Sequence, residues 1–597
     1  MAATRRMKAP SPHRRPAALR PLAAARSRVE QPAVRFRTVG EEGLAVELGT
    51  AIDEAVNARV HRLAALLRRE RASKILEVVP TYRSLLILFD PLRIGRASLE
   101  RAVLKHLGAR GGAVATRRGR LVRVPVCYGG EFGPDLEYVA QHAGLAPQEV
   151  VDLHASVTYR VHMLGFTPGF PYLGGLPDAL ATPRLPEPRP RIPVGSVGIA
   201  GGQTGIYPLE SPGGWRLIGR TPLRLFDPQA RRPFLFSAGD RLRFEPVDKE
   251  GFHRCEAALP PPRPRPSRRS PAETLVSVDR PGLLTTVQDR GRPGYRAFGM
   301  PVAGAMDRLS LALANLLAGN PPGSAALEMT LLGATLHFEG PAYVAVCGAD
   351  MAPTLDGKPV ASGTGFPVAK GALLGFGAAA KGCRTYLAIR GGIDVPAVLG
   401  SRSTDLRAAV GGLEGRALRK GDALPVGPAG AASLAPRALP RELLPVPGGE
   451  VPLRVLLGPQ DDLFLDEGLR AFLGSPYEVS NRNDRMGYQL EGPPILHRAG
   501  ADIVSDALCP GAVQVPGRGT PIVMTADCQT TGGYAKIATV IGPDLGRLAQ
   551  TRRGDRVRFT RCSQEEAVAA LREERDLLTR ASAALGQKEP YPETAPG

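Results

Sequence analysis

Gly239-Asp-Arg-Leu-Arg-Phe244 and Gly554-Asp-Arg-Val-Arg-Phe559 are near-copies of one hexapeptide, more than 300 residues apart in the chain. In each copy, a Gly-Asp pair precedes residues that alternate between charged and apolar. Gly and Asp suit a tight turn, and the alternation suits a strand with one buried face. Each hexapeptide therefore predicts a turn that leads into a strand of a β-barrel.

The two hexapeptides end a longer repeat. The first is preceded by Gly195-Ser-Val, Gln203-Thr204 and Gly213-Gly-Trp-Arg-Leu-Ile218, and the second by Gly511-Ala-Val, Gln529-Thr530 and Gly532-Gly-Tyr-Ala-Lys-Ile537. A shorter copy, Gly421-Asp-Ala-Leu424, lies between them. Units repeated in one order indicate related domains, so we expect two or three related β-barrels.

The composition agrees with a fold made mainly of strands. Gly (70) and Pro (58) make up about a fifth of the 597 residues, against roughly 12% in ordinary soluble proteins. Helix bundles do not tolerate that density of helix breakers, and a chain this long exceeds one hydrophobic core. We therefore expect a multidomain α+β protein that is predominantly β.

The segment before the repeat has a different pattern. Strand-like runs alternate with helical periodicity between Val34 and Tyr128, in the order ββαββαβ. This order predicts a small α+β domain with an antiparallel sheet. Along the whole chain we expect a disordered basic tail (1–32), this domain (33–128), a first barrel (129–250), a Pro/Arg-rich linker (251–272), a tandem-barrel region (273–562) with an inserted linker (424–452), and a C-terminal helix and tail (563–597).

The net charge of +20 does not predict nucleic-acid binding, because much of it lies in the tail and the first linker and no basic stripe is interleaved with aromatic residues. No apolar run reaches the ~18 residues of a membrane helix. The seven cysteines form no CxxC pair, so we expect reduced thiols and a cytoplasmic protein. The Arg- and Ala-rich N-terminus leaves a transit peptide as a minor alternative.

Several common catalytic motifs are absent from the sequence. It contains no Walker-type phosphate loop, no H-E-x-x-H, no G-x-S-x-G elbow and no dinucleotide-binding fingerprint. The only Met-Lys pair, Met7-Lys8, lies in the tail, so we expect no covalent biotin on this chain. We also predict no dedicated metal site.

Longer motifs resemble a known pair of families. Gly165-Phe-Thr-Pro-Gly-Phe-Pro-Tyr-Leu-Gly-Gly175, Pro193 to Pro208 and Ser211 to Pro222 resemble the KipI family, also called the B subunit of 5-oxoprolinase or allophanate hydrolase subunit 1. The C-terminal half resembles the KipA family, or the C subunit of 5-oxoprolinase, through Thr286 to Asp289, Gly291 to Tyr295, Gly304 to Asp307, Arg390 to Asp394, Arg485 to Tyr488 and Asp527 to Ile537. The chain is similar to a natural B–C fusion.

The resemblance implies a ferredoxin-like N-terminal piece followed by cyclophilin-like barrels, and kinship with the carboxyltransferase region of urea carboxylase. It also implies that the chain acts together with a separate 5-oxoprolinase A subunit. The two proteins together would open 5-oxoproline to glutamate at the expense of ATP. Two positions depart from the family pattern: Ala303 stands where Ser is expected, and Gln489 where Arg is expected.

Polar residues within the repeated motifs are the candidate site residues, since most of their Gly and Pro serve turns. We assign catalytic roles to Lys536, Asp527, Asp506 and Arg485, because Arg and Lys suit anionic or planar groups and carboxylates can act as bases. The predicted substrate- or nucleotide-binding residues are Gln203, Thr204, Trp215, Gln288, Asp289, Asp307, Gln529, Thr530, Thr531 and Tyr534.

Three functions stay open at this point. The leading hypothesis is the B–C component of ATP-dependent 5-oxoprolinase, using ATP with Mg²⁺ and a small lactam or amide substrate. The second is a biotin-dependent carboxyltransferase for urea or a similar amide, working with a separate biotin carboxylase. The third is a KipI-like regulatory protein of a sensor histidine kinase. Homo-oligomerisation is left open by the sequence.

Overall fold

The computed structural model describes residues 34–69, 74–108, 119–260, 274–429, 435–445 and 450–589. The predicted N-terminal tail (1–32), most of the first linker and the end of the C-terminal tail lie outside these ranges. All seven cysteines lie within them and are free thiols. Among the described residues, none of the helices combines the length and apolarity that crossing a bilayer requires.

The N-terminal unit is a four-stranded antiparallel sheet in the order β1-β2-β4-β3, covered by two helices. Leu63 and Leu67 of the first helix, Leu44 and Leu85 of the sheet and Val103 of the second helix share its core. The elements are β1 (Arg35–Val39), β2 (Gly43–Glu47), α1 (Glu54–Arg69), β3 (Ile75–Pro80), β4 (Ser84–Phe89) and α2 (Arg96–Gly108).

The predicted boundary at residue 128 is wrong. The strand Leu121–Tyr128 does not belong to this sheet but is one of the strands of the first barrel. A ferredoxin-like βαββαβ unit would include that strand. The ferredoxin-like arrangement is therefore not confirmed, although the order of the strands and helices up to Gly108 is.

The first barrel is a closed ring of seven strands, β10-β7-β6-β13-β5-β12-β9, with a separate pair, β11-β8. The predicted Gly-Asp turn is confirmed: Gly239 has φ +90°, and Asp240 accepts hydrogen bonds from Ser237 N (2.9 Å) and Arg120 N (3.0 Å). The elements are β5 (Leu121–Tyr128), α3 (Leu136–Ala143), α4 (Pro147–Ser156), β6 (Thr158–Gly165), β7 (Phe170–Gly174), β8 (Arg189–Ile192), β9 (Ser196–Ala200), β10 (Gln203–Ile206), β11 (Ser211–Gly213), β12 (Arg216–Arg220), β13 (Arg241–Pro246) and α5 (Lys249–Ala258).

The middle unit contains two six-stranded sheets that enclose one apolar core. Its Gly421-Asp422 turn leads into β24, an edge strand of an open sheet, so the third copy of the repeat does not form a closed barrel. The elements are β14 (Thr274–Arg280), β15 (Leu284–Gln288), α6 (Arg308–Ala318), β16 (Ala326–Thr330), β17 (Thr335–Phe338), β18 (Ala342–Asp350), β19 (Thr354–Leu355), β20 (Lys358–Pro359), β21 (Thr364–Val368), β22 (Leu373–Gly375), β23 (Lys381–Ile389), β24 (Ala423–Val426) and β25 (Arg437–Ala438).

The second barrel closes with the order β26-β33-β30-β31-β28-β27-β34, and its strands β29 and β32 form a separate two-stranded arm. Gly554 has φ +86°, and Asp555 accepts from Arg552 N (2.8 Å), so the second hexapeptide makes the same turn as the first. The elements are β26 (Val451–Leu457), α7 (Asp466–Gly474), β27 (Pro476–Asn483), β28 (Gly487–Glu491), β29 (Asp502–Ala507), β30 (Ala512–Gln514), β31 (Ile522–Met524), β32 (Thr531–Tyr534), β33 (Lys536–Val540), α8 (Gly542–Ala549), β34 (Arg556–Arg561) and α9 (Gln564–Ala584).

Two predicted linkers contain regular structure, which corrects their bounds. Residues 251–258 continue helix α5, and residues 424–426 belong to β24. Helix α5 packs Phe252 against Phe132 of the first barrel, with ring centroids 4.8 Å apart. This apolar contact stabilises the helix in a region that the sequence analysis assigned to a linker. The capping box that opens α9 is confirmed by the reciprocal bonds between Ser563 and Glu566.

A buried carboxylate joins the N-terminal unit to the second barrel. Glu41 follows β1, and its Oε1 accepts a hydrogen bond from Gly542 N (2.8 Å) at the first turn of α8. Burial, with the nearby Glu42 carboxylate, raises the pKa of Glu41 to about 7. The folded protein therefore holds a proton on this carboxyl more tightly than the unfolded chain does.

We predict that the contribution of Glu41 to stability falls as pH rises from about 4.5 to about 7 and is fully lost above that, because the unfolded chain releases this proton at lower pH than the folded protein does. The loss from Glu41 alone is about 3 kcal/mol at most. Glu41→Gln should reduce the pH dependence of the melting temperature over this range. Glu137→Gln, which alters an exposed carboxylate, is the control, and equal pH profiles for wild type and Glu41→Gln would contradict the prediction.

Candidate functional site

The arm formed by β29 and β32 packs against the first barrel, where Thr531 contacts Phe166 and Tyr172. We call this contact region between the two barrels the inter-barrel cleft and define it by Phe166, Tyr172, Tyr207 and Trp215 of the first barrel and Thr531 of the arm. Val504 of β29 packs on the same aromatic cluster. The cleft thus brings together residues from both halves of the sequence repeat.

Thr531 makes the closest polar contacts across the cleft. Its Oγ1 accepts a hydrogen bond from Phe166 N (2.7 Å) and lies 3.1 Å from Tyr172 Oη. A Cβ on Gly165 would lie 2.4 Å from Thr531 side-chain atoms, so only glycine permits this approach. Phe166 has φ +62°, a left-handed conformation that bulky residues adopt at an energetic cost and that is common at functional sites.

Aromatic rings form one wall of the cleft. The Trp215 ring lies 5.4 Å from Phe170, 6.1 Å from Tyr172 and 6.4 Å from Tyr207, all in edge-to-face geometry. Burial raises the pKa of Tyr207 and Tyr172 above the ordinary tyrosine value, so both keep their protons at neutral pH. The wall is apolar, rigid and suited to a planar ligand.

Three buried polar atoms around this wall have no hydrogen-bond partner among the described residues: Tyr82 Oη, Gln203 Oε1 and Thr530 Oγ1. Tyr82 belongs to the aromatic cluster, Gln203 pairs with cluster residue Ala200, and Thr530 precedes Thr531. Buried polar groups are nearly always satisfied. Unsatisfied hydroxyl and amide atoms on or next to residues of this wall indicate a site for a polar ligand.

Arg184 supplies a positive charge at the rim. Its guanidinium nitrogens lie 3.5 and 3.6 Å from where a Cβ on Gly533 would be, and its charge acts on Tyr82, Tyr172 and Tyr207. Arg184 is exposed, and no ion pair or hydrogen bond engages its side chain within the described ranges. It is free to bind an anionic group of a ligand.

Lys536 and Asp506 form a buried ion pair behind the arm. Lys536 is 1% exposed, and its Nζ lies 3.1 Å from Asp506 Oδ2, which also accepts from Gln460 Nε2 (3.2 Å). Asp506 Oδ1 accepts from Ser84 Oγ of the N-terminal sheet (2.6 Å). Burial opposes ionisation, but Lys536 and these bonds outweigh it and hold the Asp506 pKa below its usual range.

Tyr534 and Lys536 lie in two different strands, although residues two apart within one strand would share a face. Tyr534 ends β32 and is 37% exposed, whereas Lys536 begins β33 inside the barrel. The chain bends at Ala535 between the arm and the barrel, so the two side chains separate. Gln529, before the arm, is half-buried.

Arg485 and Asp527 form a second buried network, at the contact of the second barrel with the middle unit. Arg485 donates to both Asp527 oxygens (2.9 and 3.0 Å), to Glu328 and to Gly304 O (2.5 Å). Burial raises the pKa of Asp527 to about 6, with Arg485 opposing and Asp405 adding to the rise. The Arg485 fork is thus occupied by protein groups and is not available to grip a substrate carboxylate in this conformation.

The remaining predicted residues lie away from the inter-barrel cleft. Asp289 accepts from Gly291 N, Ser401 Oγ, Ser403 Oγ and Arg402 N, Asp307 caps α6 through Ser310, and Gln288 donates to Thr286 and Thr404. Thr204 donates to Gly198 O (3.0 Å) and lies beside His154 Nε2. These bonds organise loops and the barrel interior.

The structure separates the four predicted catalytic residues into two pairs. No hydrogen bond or ion pair joins Lys536–Asp506 to Arg485–Asp527 in the described part of the chain. Sequence reasoning missed Tyr82, Arg184, Tyr172 and Tyr207. Tyr172 and Tyr207 lie inside the motifs quoted above, where aromatic residues between glycines could have signalled a ligand wall. Tyr82 and Arg184 carried no such signal.

Within the described ranges, no group of three or more His, Cys, Asp or Glu side chains could hold a metal ion. The candidate carboxylates are already engaged by Lys536, Arg485, Ser310 or the loop around Ser401. The expectation of Mg²⁺ as the companion of ATP stays a prediction.

Comparison with known proteins agrees with this two-barrel arrangement. The family model "Carboxyltransferase domain, subdomain C and D" matches residues 34–236, and "Carboxyltransferase domain, subdomain A and B" matches residues 298–561. The crystal structure of TTHA0988 superposes with a TM-score of 0.76 at 37% identity, covering 87% of this chain and 99% of that one. The chain is therefore a carboxyltransferase-domain protein.

Two curated relatives identify the halves more closely. The C subunit of 5-oxoprolinase from Escherichia coli K12 is 42% identical over 296 residues, covering 50% of this chain and 94% of the relative. The B subunit of 5-oxoprolinase from Bacillus subtilis 168 is 43% identical over 229 residues, covering 37% of this chain and 95% of the relative. The chain belongs to the family of B-type and C-type 5-oxoprolinase subunits and joins both types in one polypeptide, which confirms the resemblance drawn from the motifs.

We predict that Lys536→Met destabilises the protein by about 3–5 kcal/mol, since it leaves the Asp506 carboxylate buried without its cation. Lys536→Met/Asp506→Asn should recover part of the loss, because no unpaired charge remains. Denaturant unfolding measures both. Lys381→Met, at an exposed position, is the control, and a stable single variant would show that the pair contributes little.

Proposed function

We propose that the chain is the B–C component of an ATP-dependent 5-oxoprolinase and that the inter-barrel cleft binds the lactam. The supporting observation is the meeting, within the described part of the chain, of an aromatic wall, three unsatisfied buried polar atoms and the unpaired Arg184 in one cleft. 5-Oxoproline is a planar cyclic amide with one carboxylate. Each of its parts has a chemical complement in this cleft.

The amide group matches the unsatisfied atoms in type. Its carbonyl oxygen can accept from the hydroxyls of Tyr82 or Thr530, and its N–H can donate to Gln203 Oε1. The ring can lie on the aromatic wall, and the carboxylate can pair with Arg184, whose planar guanidinium suits bidentate binding. A site with unpaired polar atoms rejects analogues that cannot satisfy them.

The chemistry requires ATP because the lactam nitrogen donates into its carbonyl and the five-membered ring is unstrained. Transfer of the γ-phosphoryl group to the amide oxygen releases ADP and leaves an imidate-like carbon. Water then adds to that carbon, and the C–N bond breaks as the ring nitrogen takes up a proton, which opens the ring to an acyl phosphate. A second water hydrolyses this acyl phosphate to glutamate and inorganic phosphate. We propose that a separate A subunit performs the hydration, and we assign no nucleotide or Mg²⁺ ligand in this chain.

A biotin-dependent carboxyltransferase is the second candidate, favoured by the carboxyltransferase models that match both halves. The same cleft would then hold an amide acceptor, and carboxyl transfer would need a carboxybiotin carrier on a partner. No observation in the structure favours the regulatory alternative. Turnover of the lactam distinguishes the two enzymatic candidates.

We predict that the chain mixed with the A subunit releases ADP and glutamate from 5-oxoproline, and that neither protein alone forms glutamate. Coupled assays for ADP and glutamate measure both products. Carboxyl transfer from free carboxybiotin to urea or acetamide, with no lactam opening, would reverse the order of the two candidates.

We predict that Arg184→Ala raises KM for 5-oxoproline by about tenfold or more, the scale of one charge-assisted hydrogen bond, while the melting temperature stays unchanged because the side chain is exposed. Arg184→Lys should recover only part of the affinity, since the fork is lost. Arg191→Ala removes an exposed arginine paired with Glu210 (2.6 Å) and is the control. If Arg184→Ala, Arg184→Lys and Arg191→Ala all have the KM of the wild type, the carboxylate of 5-oxoproline binds elsewhere.

A further inference from the structure

A second group of unsatisfied polar atoms lies in the C-type half, around Arg292. The Arg292 side chain is completely buried. Its Nη2 donates to Ser403 O, whereas Nε and Nη1 have no hydrogen-bond partner among the described residues. A guanidinium that is removed from water with two unsatisfied nitrogens, which carry three N–H groups, costs several kcal/mol unless something completes its hydrogen bonds.

Asp405 is the matching acceptor. It is 1% exposed, and its Oδ1 accepts from Arg407 N (3.1 Å) and Ala408 N (3.0 Å). Its Oδ2 is buried without a partner in the described structure. Ser403, two residues before Asp405, is bonded to Arg292, and Asp405 bridges to Val410, next to Gly411, whose Cβ position lies 2.8 Å from Arg292 Nη2. The two charged groups therefore belong to one loop contact, yet within the described ranges no ion pair of 4.0 Å or less joins them.

The loop that carries Asp405 packs closely on Arg292. Gly411 has φ +70°, and a Cβ there would lie 2.0 Å from Ser403 O and 2.8 Å from Arg292 Nη2. Gly412 and Ala409 also have positive φ angles. The tip of the loop packs Ala408 and Val410 against Phe226 and Phe234 of the first barrel. Glycine adopts positive φ angles without steric cost, so the loop can fold closely over Arg292.

The charges around the gap select the class of ligand. Asp289 accepts from Ser401 and Ser403 of this loop, and in the second buried network Arg485 is bonded to both Asp527 and Glu328, so with Asp405 these carboxylates outnumber the guanidinium groups of Arg292 and Arg485. An added anion would meet this excess of carboxylate, and a cation would meet the free N–H groups of Arg292. A neutral group with both an acceptor and a donor satisfies both sides.

We propose that the gap between Arg292 and Asp405 binds a neutral carboxamide group, whose carbonyl accepts from Arg292 and whose N–H donates to Asp405 Oδ2. Gln288 Oε1, also buried and unsatisfied among the described residues, lies next to this loop through the bond from its amide nitrogen to Thr404 O (3.1 Å). It can accept a second amide proton. This site uses none of the residues that define the inter-barrel cleft.

The test uses acetamide as the probe and the full chain. Crystals soaked in acetamide should show it between Arg292 and Asp405, and ligand-observed NMR should show that Asp405→Asn weakens acetamide binding by about tenfold or more, the scale of a hydrogen bond to a charged group. Arg407→Ala, in the same loop but with only a surface contact to Asp484 (3.1 Å), should bind like wild type. Ordered water alone in the gap, or equal binding by Asp405→Asn, would overturn the proposal.

5-Oxoproline separates this proposal from the function proposed above. With the A subunit present, Asp405→Asn should leave KM for 5-oxoproline unchanged, and Arg184→Ala should raise it without affecting acetamide binding. If both ligands respond to Asp405→Asn, the separate carboxamide site is wrong. If Asp405→Asn does not fold, Arg292→Lys and the wild-type crystal soak decide the question, because the soak needs no variant.

Discussion

The carboxylate of Asp506 is the interaction on which the inter-barrel cleft depends. It accepts hydrogen bonds from Ser84 of the N-terminal sheet, from Gln460 near the end of β26 and from Lys536 of β33. Since Asp506 lies in β29, these bonds fix the arm to three different parts of the molecule. Thr531 pairs with the neighbouring residue Ala507, so its position against Tyr172 follows from the same anchor.

Local patterns predicted much of the fold. The Gly-Asp turns at Gly239 and Gly554, the α9 capping box and the helices before Gly108 depend on neighbouring residues, and the structure confirms them. The strand Leu121–Tyr128 was also predicted, but its sheet was not, because its partner Arg241–Pro246 is over a hundred residues away. The Gly421 turn shows the same limit: a turn motif predicts a strand and does not predict whether the sheet closes.

The sequence predicted which residues are candidates for the site, but not which of them contact each other. Arg485, Asp527, Lys536 and Asp506 are polar residues in apolar surroundings, as a site would have, and the structure shows that they neutralise each other. Glu328, which completes the Arg485 network, is 157 residues away along the chain, and no spacing rule connects them. Sequence patterns reveal which side chains are unusual, whereas tertiary contacts decide which of them are left free for a ligand.

The closure of the two barrels has a consequence for how such a chain can be assembled. In each barrel the first and last strands run parallel, β5 beside β13 and β26 beside β34. The polypeptide therefore enters a barrel at one end and leaves it at the opposite end. Circular permutation is tolerated where chain ends are close together, and these ends are a barrel length apart. Such modules can be joined in series, but they are poorly suited to insertion within a loop of another domain.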